Sequence, residues 1–191
     1  FNPVGEQFYG LKRADEPHNI VTVGRLSPQK NHALLITAFS KISPEFPNEK
    51  LIIYGEGELR NELECLVREL GLEGNVLLPG SVSDVPGKLK EAKIFVLSSD
   101  YEGMPNALME AMAAGVPVIS TDCPCGGPSM LIQNSVNGFL VPCNDENALS
   151  MTMKMLLNDA DRERIGINGR KSADCFKEDI TYGQWKDFLR S

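Results

Sequence analysis

Two carboxylates, Glu102 and Glu110, stand with seven residues between them in the stretch Asp100-Tyr101-Glu102-Gly103-Met104-Pro105-Asn106-Ala107-Leu108-Met109-Glu110. The run before them, Ile94-Phe95-Val96-Leu97, consists of apolar β-formers and reads as a buried strand. Residues 105–114 are rich in Ala, Leu and Met and read as a helix. Pro105 suits a first helical position, because its fixed φ fits there and its missing N–H is not needed. Glu102 then falls in the loop at the carboxyl end of a strand, and Glu110 more than one turn into the following helix. In open α/β sheets that edge is where ligands bind.

A free helix N-terminus offers unpaired backbone N–H groups and a partial positive charge, which suit an anion and most often a phosphate. Here those groups belong to Met104, Asn106 and Ala107. Two carboxylates beside a phosphate repel it, so they are useful only if the ligand also carries donors. Sugar and ribose hydroxyls are such donors, and one carboxylate accepts from two of them. A ligand with phosphates in the middle and hydroxylated rings at both ends, a nucleotide sugar, meets both demands. An isolated glutamate pair reads as solvated surface acids. The link Gly103-Met104-Pro105-Asn106-Ala107 and the following Ala111-Met112-Ala113-Ala114-Gly115-Val116-Pro117-Val118-Ile119 set this pair apart.

Cations are expected at the same edge. Val23-Gly24-Arg25-Leu26-Ser27-Pro28-Gln29-Lys30-Asn31 leaves the first strand and carries Arg25 and Lys30 into the next helix. Arg grips phosphate in bidentate fashion and Lys adds a point charge. Together they neutralise a diphosphate, including the charge that grows on it as a leaving group. Two exposed cations on a turn are the plain alternative. The loop lacks the Gly-Lys-Ser/Thr ending of a Walker loop.

Three further loops are candidates. Tyr54-Gly55-Glu56-Gly57-Glu58 permits close backbone approach, with a ligand ring or a plain turn as its two readings. It is not a dinucleotide fingerprint. Gly80-Ser81-Val82-Ser83-Asp84-Val85 reads as a base-reading loop or as a helix cap from Ser83 or Asp84. Asp122-Cys123-Pro124-Cys125-Gly126-Gly127-Pro128-Ser129 brings backbone toward a sugar ring or simply turns. His18 falls in a polar connector, and His32 reads as structural or exposed.

The elements that must position these loops alternate in type. Strands are expected at 20–23, 51–54, 76–78, 94–97, 116–120 and 138–141. Helices are expected at 31–42, 58–70, 85–92, 105–114, from about 128, and through most of the chain after 146. Short connections imply a Rossmann-like α/β fold, with a mainly parallel six-stranded sheet and helices on both faces. The strands are continuous apolar runs, as expected of strands buried on both sides. The tail at 178–191 carries Ile180, Trp185, Phe188 and Leu189 at near-helical spacing, an amphipathic helix with something to pack on.

Composition narrows the function. The 191 residues suit one domain or one lobe of a two-lobed protein, and the opening Phe1 reads as an excerpt of a longer chain. A net charge of −7 argues against a nucleic-acid binder or a membrane-surface patch within this segment. The cysteine count of 5 is odd and its spacing scattered, so reduced thiols are expected and not a disulfide framework. Cys123-Pro124-Cys125 lacks two further ligands nearby, so no metal site is expected.

Gly24-Arg25-x4-Lys30, Glu102-Gly103-x6-Glu110-Ala111-x3-Gly115-x-Pro117-Val118-Ile119, Gly126-Gly127-Pro128 and Asn137-Gly138-Phe139-Leu140-Val141 together resemble the retaining GT-B glycosyltransferases with the Glu-x7-Glu signature. The resemblance is to their C-terminal lobe and covers nearly the whole chain. It implies a nucleotide-sugar-binding lobe over residues 1–191, with the final helix, 178–191, packing toward an N-terminal acceptor lobe not included here. By matching positions, Arg25 and Lys30 hold the diphosphate and support catalysis with Glu102, which contacts hydroxyls of the transferred sugar. Glu110 accepts from the ribose. Gly24, Gly55, Gly103, Met104, Asn106 and Ala107 line the donor, and Val82 lines the base.

The resemblance implies retaining transfer of a hexosyl or N-acetylhexosaminyl group, with UDP the favoured carrier, to a glycan or lipid-linked acceptor in bacterial surface polysaccharide synthesis. It implies no cofactor and no required metal, a cytoplasmic location, and peripheral membrane association through the other lobe. The fragment alone is expected to be inactive. A sugar phosphorylase, a nucleotide-sugar epimerase and a non-catalytic nucleotide-binding module are the alternatives. One departure is Met130, where the family commonly has Glu.

Overall fold

In the computed structural model, which describes residues 2–15, 17–158 and 162–190, the chain forms one six-stranded sheet. The strands are β1 (His18–Val23), β2 (Leu51–Tyr54), β3 (Val76–Gly80), β4 (Ala92–Leu97), β5 (Val118–Thr121) and β6 (Phe139–Val141). Their order is β3-β2-β1-β4-β5-β6, and every neighbouring pair is parallel. The order reverses between β1 and β4, where Ile20 pairs with Ile94 and Val21 with Phe95. Such a switch point opens a crevice beyond the carboxyl ends of the strands.

Successive residues of a strand face opposite sides of a sheet. Ile20, Ile94 and Val96 therefore join one apolar core and Val21, Phe95 and Leu97 another. Helices α1 (His32–Ser40), α2 (Arg60–Glu69) and α6 (Glu146–Asn158) cover the first face. Helices α3 (Val85–Glu91), α4 (Asn106–Ala113), α5 (Gly127–Leu131) and α7 (Arg162–Ala173) contribute to the second. Burial on both faces holds for the central strands and fails at the edge strand β3, where Leu77 is exposed. The last helix, α8 (Glu178–Arg190), buries only Thr181. Its Ile180, Trp185, Phe188 and Leu189 are exposed, and Ser191 lies outside the described residues.

Three expectations need correction. Pro105 is not the first helical residue: its ψ of 98° is extended, and it precedes α4 as N-cap. His18 is no connector residue, because it opens β1 opposite Ala92. The helix after β1 begins at His32, because Pro28–Lys30 forms a 3-10 turn and Asn31 takes a left-handed conformation, φ 44°. Asn31 then caps α1, its side chain accepting from the Leu34 N–H at 3.2 Å.

Candidate functional site

The β1–α1 and β4–α4 loops, 72 positions apart, are joined at the switch point by an ion pair between Lys30 Nζ and Glu102 Oε1 at 2.5 Å. Lys30 runs past Gly24 to reach it. The Lys30 stem runs 3.4–3.6 Å from where a Gly24 Cβ would stand. Glu102 is buried, and Ser99 Oγ donates to the same Oε1 at 2.7 Å. Oε2 has no partner among the described residues and is not sealed from solvent, so it is the oxygen left to accept from a ligand.

The loop pair is stitched further. The Asp100 N–H donates to the Gln29 carbonyl at 2.9 Å, and Gln29 Nε2 to the Tyr101 carbonyl at 2.9 Å. Ser98 Oγ donates to the Lys30 carbonyl at 2.9 Å, and Asn31 Nδ2 to Asp100 Oδ1 at 2.8 Å. Beneath Glu102, the Ser99 carbonyl accepts from Thr121 Oγ1 at 2.5 Å and from the buried Cys123 thiol at 3.1 Å. Burial pushes that thiol up to about 11. Cys123 thus belongs to the support of Glu102, while Cys125 is exposed. Among the described residues, no group of three or more His, Cys, Asp or Glu side chains could hold a metal ion.

Arg25 is exposed and has no side-chain partner among the described residues. It borders a hollow of about 450 Å³ with Lys30, Gln29, Glu58 and Tyr101. It also borders a cleft of about 280 Å³ with Gly24, Tyr54, Gly55, Ser81 and Val82. The structure therefore brings Gly24, Arg25, Lys30, Gly55, Val82 and Glu102 to one rim.

Helix α4 starts at that rim. Leu108 and Met109 donate to the Pro105 carbonyl, while the N–H groups of Met104, Asn106 and Ala107 have no acceptor among the described residues. The exposed Asn106 side chain accepts from Asn2 Nδ2 at 2.8 Å. Glu110, one turn further along α4, is half-buried with no side-chain partner among the described residues. Burial raises its carboxyl above the usual carboxylate range.

The glycines act differently from a simple ligand floor. A Cβ on Gly55, φ +151°, would stand 1.8 Å from the Gly24 carbonyl, and one on Gly57 2.3 Å from the Leu26 carbonyl. Both let the β2–α2 loop lie against the cation loop. A Cβ on Gly127 would stand 1.9 Å from the Gly103 carbonyl. Its close approach is thus to the loop that holds Glu102. Met130 is exposed. Asp84, not Ser83, caps α3, accepting from the Gly87 N–H at 2.9 Å.

Sequence reasoning missed the supporting polar residues Gln29, Asn31, Ser98, Ser99, Asp100 and Thr121. The cue available was the small polar run Ser98-Ser99-Asp100 directly after an apolar strand. His32, read as structural or exposed, is 3% exposed, and neither ring nitrogen has a hydrogen-bond partner among the described residues. Burial, helped by the Lys30 charge, pushes its pKa down to about 4 against the pull of the Arg25 carbonyl. The ring beside the cations is therefore neutral.

The family model described as "Glycosyl transferases group 1" matches residues 5–172. The chain belongs to this family. An uncharacterized glycosyltransferase of Methanocaldococcus jannaschii is 43% identical over 194 aligned residues, covering 87% of this chain and 48% of that protein. The UDP-Gal:alpha-D-GlcNAc-diphosphoundecaprenol alpha-1,3-galactosyltransferase of Escherichia coli is 37% identical, covering 73% of this chain and 36% of that protein. The crystal structure of Anabaena HepE in complex with UDP superposes with a TM-score of 0.85 at 24% identity, covering 92% of this chain and 49% of that one. The chain thus spans about half or less of these relatives. Its six-stranded parallel sheet with helices on both faces is the Rossmann-like fold of the GT-B structures. No helix among the described residues is long and apolar enough to cross a membrane.

Proposed function

We propose that this chain is the C-terminal, donor-binding lobe of a retaining glycosyltransferase that uses a nucleoside diphosphate sugar, with UDP the favoured carrier. The observation that carries the reading is the joining of Lys30 to Glu102 at 2.5 Å on the rim that Arg25 borders and where α4 begins. Cations for a diphosphate and acids for hydroxyls meet in one place.

The diphosphate lies against Arg25, Lys30 and the free N–H groups of α4. As the glycosidic bond lengthens, negative charge accumulates on the leaving diphosphate, and these groups stabilise it. Glu102 Oε2 accepts from a hydroxyl of the transferred sugar. Glu110 accepts from the ribose, an interaction that restores to its carboxylate the hydrogen bonds lost on burial. Val82 and its neighbours line the base. The cation pair and the helix end supply the positive charge, so this reading calls for neither a metal nor a cofactor.

The names of relatives extend the proposal. The Escherichia coli relative is named for galactosyl transfer to a diphosphoundecaprenol-linked sugar. A hexosyl or N-acetylhexosaminyl group passed to a lipid-linked glycan acceptor, at the cytoplasmic side of surface polysaccharide synthesis, is the matching role here. The acceptor sits on the N-terminal lobe, toward which the exposed apolar residues of α8 pack. The test is turnover of UDP-, GDP- and ADP-sugars by the full-length protein, with the anomeric configuration of the product read by NMR. Retained configuration with a UDP-sugar is expected. Inversion, or no turnover of any nucleotide sugar, overturns the proposal.

A further inference from the structure

A second cationic cavity lies at the opposite rim, at the amino ends of β4 and β5. It encloses about 200 Å³ and is lined by Leu11, Arg13, Ala114, Gly115, Glu163, Ile167 and Arg170. That is below the roughly 300–1,000 Å³ typical of drug-sized ligands, so a nucleotide does not fit but a phosphate with a short tail does.

Arg13 is held rigidly in its wall. Nη2 donates to the Ala92 carbonyl at 2.5 Å and Nη1 to the Gly115 carbonyl at 3.3 Å. Nε is buried with no partner. Arg170 comes from the other side, its Cδ packing 3.7 Å from where a Gly115 Cβ would stand. Neither guanidinium makes an ion pair among the described residues. The charge of nearby Arg162 adds to them. Burial and that charge push Arg13 down to about 10, with Glu163 opposing.

A half-buried guanidinium whose hydrogen bonds go to carbonyls alone is costly, and a chain of net charge −7 has acids to spare. Among the described lining residues, only Glu163 is acidic. Two guanidiniums line the cavity against a single carboxylate, and that excess of positive charge is matched by an oxyanion from solution, phosphate above all, which Arg grips bidentately. Glu163 repels a bare anion on its side, so it accepts instead from a hydroxyl beside the phosphate. We propose that this cavity binds a small hydroxylated phosphate monoester, its phosphate between Arg13 and Arg170 and its hydroxyl on Glu163.

The test follows melting of the full-length protein with inorganic phosphate, glycerol 3-phosphate, or sodium chloride at matched ionic strength. An Arg25→Ala/Lys30→Ala variant removes anion binding at the other rim. Arg13 ties the Ala92 carbonyl of β4 to the Gly115 carbonyl of the turn after α4, so Arg170→Gln is the cavity variant chosen to spare the fold. Both phosphates are expected to give a saturable rise at millimolar concentration that persists without Arg25 and Lys30. Arg170→Gln should weaken it by about tenfold. Glycerol 3-phosphate should bind more tightly than phosphate, and Glu163→Ala should abolish that preference. A rise no larger than that of chloride, one lost without Arg25 and Lys30, or one untouched by Arg170→Gln overturns the site. A preference that survives Glu163→Ala overturns the hydroxyl assignment.

Discussion

Glu102 on the rim and Glu110 one turn into α4 are the same residue type, yet their surroundings are opposite. Glu102 is 6% exposed and receives Lys30 and Ser99 on a single oxygen. Glu110 is half-buried, unpartnered among the described residues, and held above the usual carboxylate range by burial. The first corner is assembled before any ligand arrives, which limits the ordering needed at the moment of reaction. The second arm, with Arg25 and the free N–H groups of α4, is left unsatisfied in the ligand-free fold. In the proposed reading, the nucleotide sugar supplies its missing partners.

The largest break in that contrast should come from the wired corner. Lys30→Ala in the full-length protein is expected to lower turnover by a hundredfold or more, on the order of a lost oxyanion donor. It should also destabilise the fold by about 1–3 kcal/mol, because Glu102 stays buried without its cation. Adding Glu102→Gln should restore much of the stability but none of the turnover, a coupling read by a double-mutant cycle of unfolding and rate. Arg25→Ala is the counterpart on the open arm. It should lower turnover comparably while leaving stability within about 0.5 kcal/mol, as for exposed residues. Equal stability losses at both positions would remove the distinction.

Gly127→Ala is next in size. The added Cβ would stand 1.9 Å from the Gly103 carbonyl and must push the Glu102 loop aside. A loss of about 1–3 kcal/mol in denaturant unfolding is expected, with weaker donor binding, because close-packed backbone has no room to give.

Much of the frame was legible because it depends on local pattern. Apolar runs such as Ile94-Phe95-Val96-Leu97 announce central strands, and their alternation with helices announces a parallel sheet. The placement of Arg25, Lys30 and Glu102 on one rim followed from that topology. What was hidden depends on pairs distant in the chain. Nothing in the spacing shows that Lys30 meets Glu102 across 72 positions. Gly127 was legible as a site of close approach, but not that the approaching group is the Gly103 carbonyl. Pro105 misled because its φ suits a helix start while its ψ, 98°, is set by the loop that feeds α4. His32 reads from the sequence as structural or exposed, and its 3% exposure decides for the structural reading, which its neighbours in sequence could not.

The smallest effect sharpens the contrast by its sign. A carboxyl whose folded pKa lies above its unfolded value favours folding in its protonated form. That stability is present below the unfolded pKa and lost as pH rises through the folded one. Glu110→Gln should therefore raise the melting temperature at pH 7 by about one or two degrees. The gain should vanish below the carboxylate range, while donor binding weakens about tenfold. A variant that melts lower at pH 7 would show that Glu110 is satisfied without a ligand.

The central claim, one rim that joins cations for a diphosphate to acids for hydroxyls, is tested most directly by calorimetric titration of the full-length protein. The titrants are a UDP-sugar and inorganic phosphate. The account predicts saturable UDP-sugar binding that is lost in Arg25→Ala/Lys30→Ala and weakened about tenfold in Glu110→Gln, with phosphate affinity unweakened in the latter. UDP-sugar affinity unchanged in both variants would contradict it.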